Sequence, residues 1–178
     1  MEDCVLSNNS LAINISIELG NLYKLENNRS KAMVNYCWAQ RSIEQTMSEH
    51  DPLLYARVLS NIASLSQGDN IDQSVNMLEK TLSIKIQSLP ECHQEVLSSY
   101  WALGDTYYKK GDFDKAFYDY DKAYNISKQI EGPNSEKTIK LLLKCASLKK
   151  KMARYEDSSK LYELAISLLV KSKSKIST

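Results

Sequence analysis

Proline and glycine are scarce in this 178-residue chain, at three and five copies. A many-stranded sandwich or barrel needs more turn residues than that, so helices are the expected elements. Histidine is scarcer still. His50 and His93 stand alone, in stretches that read as connections, and leave little material for a metal centre or for proton transfer. Long apolar runs are missing too: no stretch approaches 18 apolar residues, which excludes an ordinary transmembrane helix. The acidic start, MEDCVLSNNSLAIN, lacks the basic flank and apolar run of a signal peptide. Nor does one sign of charge dominate. Lys plus Arg number 23 and Asp plus Glu 22, a formal +1, so nothing in the whole-chain balance calls for nucleic acid or a membrane. Cys4, Cys37, Cys92 and Cys145 are far apart with no CxxC pair; together with the missing signal this points to a reducing cytoplasmic setting. HExxH, GxSxG and phosphate-cradling glycine loops are absent. The acidic cluster Asp112, Asp114, Asp119 and Asp121 lacks the Gly and Glu of a calcium loop. The expectation is a protein that is not an enzyme and has no metal or cofactor.

What the chain does have is a core and a period. Hydrophobic residues make up 43 % and tyrosines number eleven, which excludes disorder. Written in steps of 42, one pattern recurs four times. A first small site holds Gly20, Ile62, Gly104 and Ala146, and twelve residues on come Ala32, Ser74, Ala116 and Ser158. Tyr36, Leu78, Tyr120 and Tyr162 follow, then Ala39, Thr81, Ala123 and Ala165. Offsets of 3, 4 and 7 are helical. The alternation of small and large has a steric cause: two antiparallel helices approach closely only where Cβ bulk is kept away, and a large side chain one turn on fills the space beside that contact. The spacing predicts helices near 11–26, 30–47, 53–67, 72–88, 94–110, 113–131, 136–152 and 155–172. Repeat two leaves two registers open. Ile62 in the small site keeps the step of 42, while Ala63 fits equally well if one residue is deleted between Ser66 and Asn70.

The clearest unit runs from Leu103-Gly104-Asp105 through Tyr107, Gly111, Phe113 and Ala116 to Tyr120 and Ala123. Gly111 supplies a helix-ending residue free to take positive φ, and Asp112 a cap for the next helix. These residues resemble the tetratricopeptide repeat (TPR) motif. The 42-residue length, with Gly132-Pro133-Asn134-Ser135 and His93-Gln94-Glu95-Val96 in the linkers, is similar to the long repeats of kinesin light chains. The resemblance implies an all-α, right-handed superhelical solenoid of four helix-turn-helix units. A leader, 1–12, would precede a TPR domain, 13–178, with repeats near 13–54, 55–96, 97–138 and 139–178.

The family's ligand contacts come mainly from the first helices, at the concave side. Carried over, they fall on Asn21, Leu59, Ser98, Trp101, Asp105, Tyr108, Lys140, Lys144, Ser147 and Lys151. Trp101, Tyr108 and Leu59 would form an apolar floor. Asn21, Asp105, Ser98 and Ser147 would bond a ligand backbone, and the lysines would draw an acidic peptide. For Trp101 two readings stay open, ligand anchor or packing between repeats. Trp38, on a second helix, reads as core or outer-surface packing. A clamp for a C-terminal carboxylate is not expected, because Ile17 and Ser60 stand where it needs Lys and Asn. The paired Asn residues of the kinesin light-chain groove are missing as well. The expected function is a protein–protein interaction module or adaptor that takes a peptide or partner helix in the groove. A targeting fragment of a larger multidomain enzyme is one alternative. A self-associating scaffold is another, with Leu11 or Ile13 at one end and Leu164, Leu168 and Leu169 at the other.

Overall fold

The computed structural model describes residues 2–45, 51–66, 68 and 70–174, with side chains from residue 10 to residue 171. Among them are eight helices: α1 (Glu2–Leu25), α2 (Arg29–Gln45), α3 (Pro52–Ser66), α4 (Ile71–Ser88), α5 (Gln94–Lys110), α6 (Phe113–Ile130), α7 (Glu136–Lys151) and α8 (Tyr155–Ser174). The all-α class holds, and the helices pair as successive helix-turn-helix units, consistent with a TPR superhelical solenoid. The expected spans agree closely except for α1. Its helix reaches back to Glu2, through most of the stretch expected as a leader. That segment has no Pro or Gly to stop a helix.

Close approach within each pair depends on the small sites. A Cβ on Gly20 would lie 2.5 Å from the ring of Tyr36, and one on Gly104 would lie 2.6 Å from the ring of Tyr120. Both rings are buried. The turns repeat as well. Asn27, Gly111 and Ala153 follow α1, α5 and α7, and all three take positive φ, at 58°, 86° and 58°. In each the chain folds back on the helix end: the N–H of Asn28 reaches the Tyr23 carbonyl, that of Asp112 the Tyr107 carbonyl, and that of Arg154 the Lys149 carbonyl. Asn28, Asn70 and Asp112, spaced by 42, then cap the second helices through their side-chain oxygens.

The chain divides into two compact units, Met1–Ser88 and Leu89–Thr178. In the N-terminal unit α1 pairs with α2 and α3 with α4, and α2 packs on α3. Its core gathers Ile13, Ile17, Tyr36, Ile43, Val58, Leu59 and Ile62. In the C-terminal unit α5 pairs with α6 and α7 with α8, and α6 packs on α7. There Ile139, Leu142, Ala165 and Leu168 form a cluster covered by Tyr124 and Leu161. Cys145 is 3 % exposed, and burial, reinforced by the nearby Asp121, pushes its thiol up to about 12. It is an inert small hydrophobe, as its place in the motif implies.

Candidate partner-binding surface

In the C-terminal unit one side of α5 carries Trp101, Asp105 and Tyr108, spaced by four and three residues along one helical face. One side of α7 carries Lys144, Ser147 and Lys151, spaced by three and four. The two rows meet. Lys144 Nζ donates to Asp105 Oδ1 at 2.6 Å and to Tyr120 Oη at 3.3 Å. The Tyr120 hydroxyl donates to the same Asp105 oxygen at 2.5 Å. Burial raises the Tyr120 pKa, and the hydrogen bond to the Asp105 carboxylate raises it further, so the phenol stays a donor. Lys144 also lies 5.9 Å from the Trp101 ring centre, and Lys151 lies 5.3 Å from Tyr108 and 5.7 Å from Phe113. A cation over an aromatic face contributes about 0.5–1 kcal/mol at exposed sites. The Asp105–Lys144 pair is partly open to solvent, so it fixes geometry more than it stabilises.

Other expected site residues are occupied within their own helices or units. Lys140 pairs with Glu136 one turn back, and the Ser98 hydroxyl donates to the Gln94 carbonyl. Ser147 is half-buried on the α7 row. Asn21, in the N-terminal unit, accepts from the Tyr36 hydroxyl at 2.8 Å and from Asn61 Nδ2 at 3.4 Å. Asn21 and Tyr36 are thus the counterparts of Asp105 and Tyr120, and Asn61 stands where Lys144 does.

That equivalence settles the register of repeat two and corrects one site residue. Lys144 precedes the small residue Ala146 by two; Asn61 precedes Ala63 by two, not Ile62. Burial agrees: Arg57 is exposed and Val58 buried in α3, as Lys140 is exposed and Leu141 buried in α7. Ala63 is therefore the small residue, and the turn to α4 is one residue shorter. Leu59 turns inward with the shift. At 2 % exposure it is a core residue of the N-terminal unit and offers no surface to a ligand.

Two contributors lay outside the expected set, Tyr120 and Phe113. In the sequence both stand only as motif residues of the second helix. Trp38 is 45 % exposed on α2, beside Val34, and so belongs to the outer surface. His93 caps α5, its Nδ1 accepting from the Glu95 N–H at 3.2 Å, while His50 lies outside the described residues. Among the described residues no three His, Cys, Asp or Glu side chains gather as metal ligands, and no helix is long and apolar enough to cross a membrane.

A family model described as "Tetratricopeptide repeat" matches residues 95–169, and the same architecture recurs in solved structures. Nearly identical TPR-like repeats from Podosopora anserina, assigned to a kinesin light chain, superpose with a TM-score of 0.75 at 15 % identity, over 90 % of this chain and 76 % of that one. The fold is TPR-like. BtubC (BKLC) from P. vanneervenii has the same TPR-like course, with a TM-score of 0.73 at 17 % identity over 93 % of this chain and 72 % of that chain. MamA follows with 0.69 at 16 % over 97 % and 86 %. No curated protein matches the sequence. At such identities the likeness is one of fold.

Proposed function

We propose that the chain is a noncatalytic protein-interaction module that takes an acidic peptide or partner helix along the α5–α7 side of its C-terminal unit. One observation carries this reading: partly exposed aromatic rings alternate with lysines there, and the lysines are unequally neutralised. Lys144 is matched by Asp105. Among the described residues no acidic side chain pairs with Lys150 or Lys151. A ligand carboxylate next to Lys151 would find an uncompensated cation, and an apolar ligand side chain would lie against Trp101 and Tyr108. Kinesin-light-chain-type and other TPR-like arrays share the scaffold, which supports an adaptor role in general; the side chains above supply the particular preference.

Selection from a random peptide library is expected to enrich sequences that combine an aromatic or aliphatic residue with Asp or Glu. Trp101→Ala is expected to weaken the selected peptides at least tenfold, about 1.4 kcal/mol or more. Lys151→Glu should weaken acidic peptides and spare neutral ones. Isothermal titration of the three proteins checks this, and peptides that bind all three equally would move the site elsewhere.

A further inference from the structure

The second helices of the four hairpins share one face whose chemistry is reversed in α2 alone. In steps of 42, Asp72, Asp114 and Glu156 recur, and seven residues on from each come Glu79, Asp121 and Glu163. The helices α4, α6 and α8 thus each place two carboxylates there. The matching positions of α2 hold Ser30 and Cys37. Trp38 stands where the others have Lys80, Lys122 and Leu164, and Arg41 where they have Ser83, Asn125 and Ser167. A face that bears acids in three repeats is apolar and basic in the first.

On this face Arg29, Met33, Val34, Cys37, Trp38 and Arg41 line a groove of about 640 Å³. Met33 and Cys37 are half-buried against the core of the N-terminal unit, while Val34 is 69 % exposed beside Trp38. Their equivalents in α6 show which way the groove looks. Phe117 and Asp121, in the places of Met33 and Cys37, face the following helix: Lys149 lies 3.8 Å from the Phe117 ring centre, and Asp121 adjoins Cys145. The floor of the groove is therefore on the side of α2 toward the next repeat. No carboxylate is among the described residues that line it. Nor does any described acidic side chain pair with Arg41; Glu44, one turn on, accepts from Tyr55 and Gln40 instead. Ser30, Val34, Cys37 and Arg41 follow one another at spacings of four, three and four, the seam on which a nearly aligned helix packs.

We infer that this groove takes an acidic amphipathic helix of another protein, laid along α2, with an apolar side chain against Trp38 and Val34 and a carboxylate one turn away on Arg41. A guanidinium holds a carboxylate through two parallel N–H donors, and an exposed indole supplies the contact area that anchors an interface. The groove is in the N-terminal unit and shares no residue with the α5–α7 surface, so either site can fail without the other.

Display selection from a library of helical peptides tests this on the full chain carrying Trp101→Ala/Lys151→Glu, which disables the α5–α7 surface. Enriched peptides are expected to place Asp or Glu three or four residues from a large apolar residue. In the same background Trp38→Ala should weaken them at least tenfold by titration calorimetry, and Arg41→Glu likewise. Replacing the peptide's acid with Lys should restore binding at least tenfold to the Arg41→Glu protein and weaken it as much on the protein that keeps Arg41. Both substituted side chains are exposed, so helical circular dichroism should not change. Peptides indifferent to both substitutions overturn the inference, as does a library that yields no binder. So does a wild-type mass that climbs above 20.3 kDa in sedimentation equilibrium and returns to it with Trp38→Ala, because a second copy then fills the groove.

Discussion

Ala153 ends α7 in the conformation that Gly111 takes at the end of α5, but with a Cβ present. Its φ of 58° lies in the left-handed region, where an L-residue with a side chain is disfavoured by about 1–2 kcal/mol. The fold-back bonds hold it there, from Ala153 to Lys150 and from Arg154 to Lys149. Ala153→Gly removes that strain, while the freer unfolded chain offsets part of the gain. A net stabilisation of about 0.5–1 kcal/mol is expected, read from the urea midpoint. The opposite substitution elsewhere has the opposite sign. In Gly104→Ala the new methyl would meet the Tyr120 ring at 2.6 Å, and the ring is buried and bonded to Asp105. Overpacking of about 1–3 kcal/mol should exceed the roughly 1 kcal/mol gained in helix propensity. The thermal midpoint should fall, and Gly104→Ala/Tyr120→Leu should lose less than its two single changes summed.

At the level of elements, α2, α3 and α4 are tied together by one polar chain. Glu44 accepts from Tyr55 Oη at 2.6 Å and from Gln40 at 2.9 Å, and Lys80 donates to Tyr55 Oη at 3.0 Å while lying over its ring. The Tyr55 bond, then that of Gln40, holds the Glu44 carboxyl below its ordinary value. A depressed carboxylate stabilises the fold above its unfolded pKa, and the effect is lost as pH falls through the folded one. Thermal scans from about pH 6 to pH 3 should show the wild type losing its advantage over Glu44→Gln below about 4.5. An equal gap at every pH would disconnect Glu44 from the acid response.

The hairpins were legible in the sequence because the steric demand at Gly20 and Gly104 recurs with their tyrosines at a fixed distance. Repeat two was not legible to a single residue. Ile62 and Ala63 are both apolar and both buried, and it takes the Asn61–Asn21 bond and the exposure of Arg57 beside buried Val58 to separate the two registers. That one-residue shift is also why Leu59 reads as a groove residue in sequence and packs as core. Alignment of α5 with α7 brings together Trp101, Asp105, Tyr108, Lys144 and Lys151, which motif spacing had already selected. The part of Tyr120 was hidden, because a tyrosine opposite a glycine is sufficiently explained by filling space. Its hydroxyl matters only once Asp105 and Lys144 are seen to converge on it.

Across the whole molecule, the chain has only two tryptophans, and each compact unit holds one: Trp38 on α2 and Trp101 on α5. Their settings differ, Trp38 nearly half in solvent and Trp101 beside the Lys144 ammonium. The protein therefore carries its own pair of optical labels. With Trp38→Phe the remaining indole emission reports the C-terminal unit alone, and with Trp101→Phe the N-terminal one, so the melting of each half can be followed without an added dye.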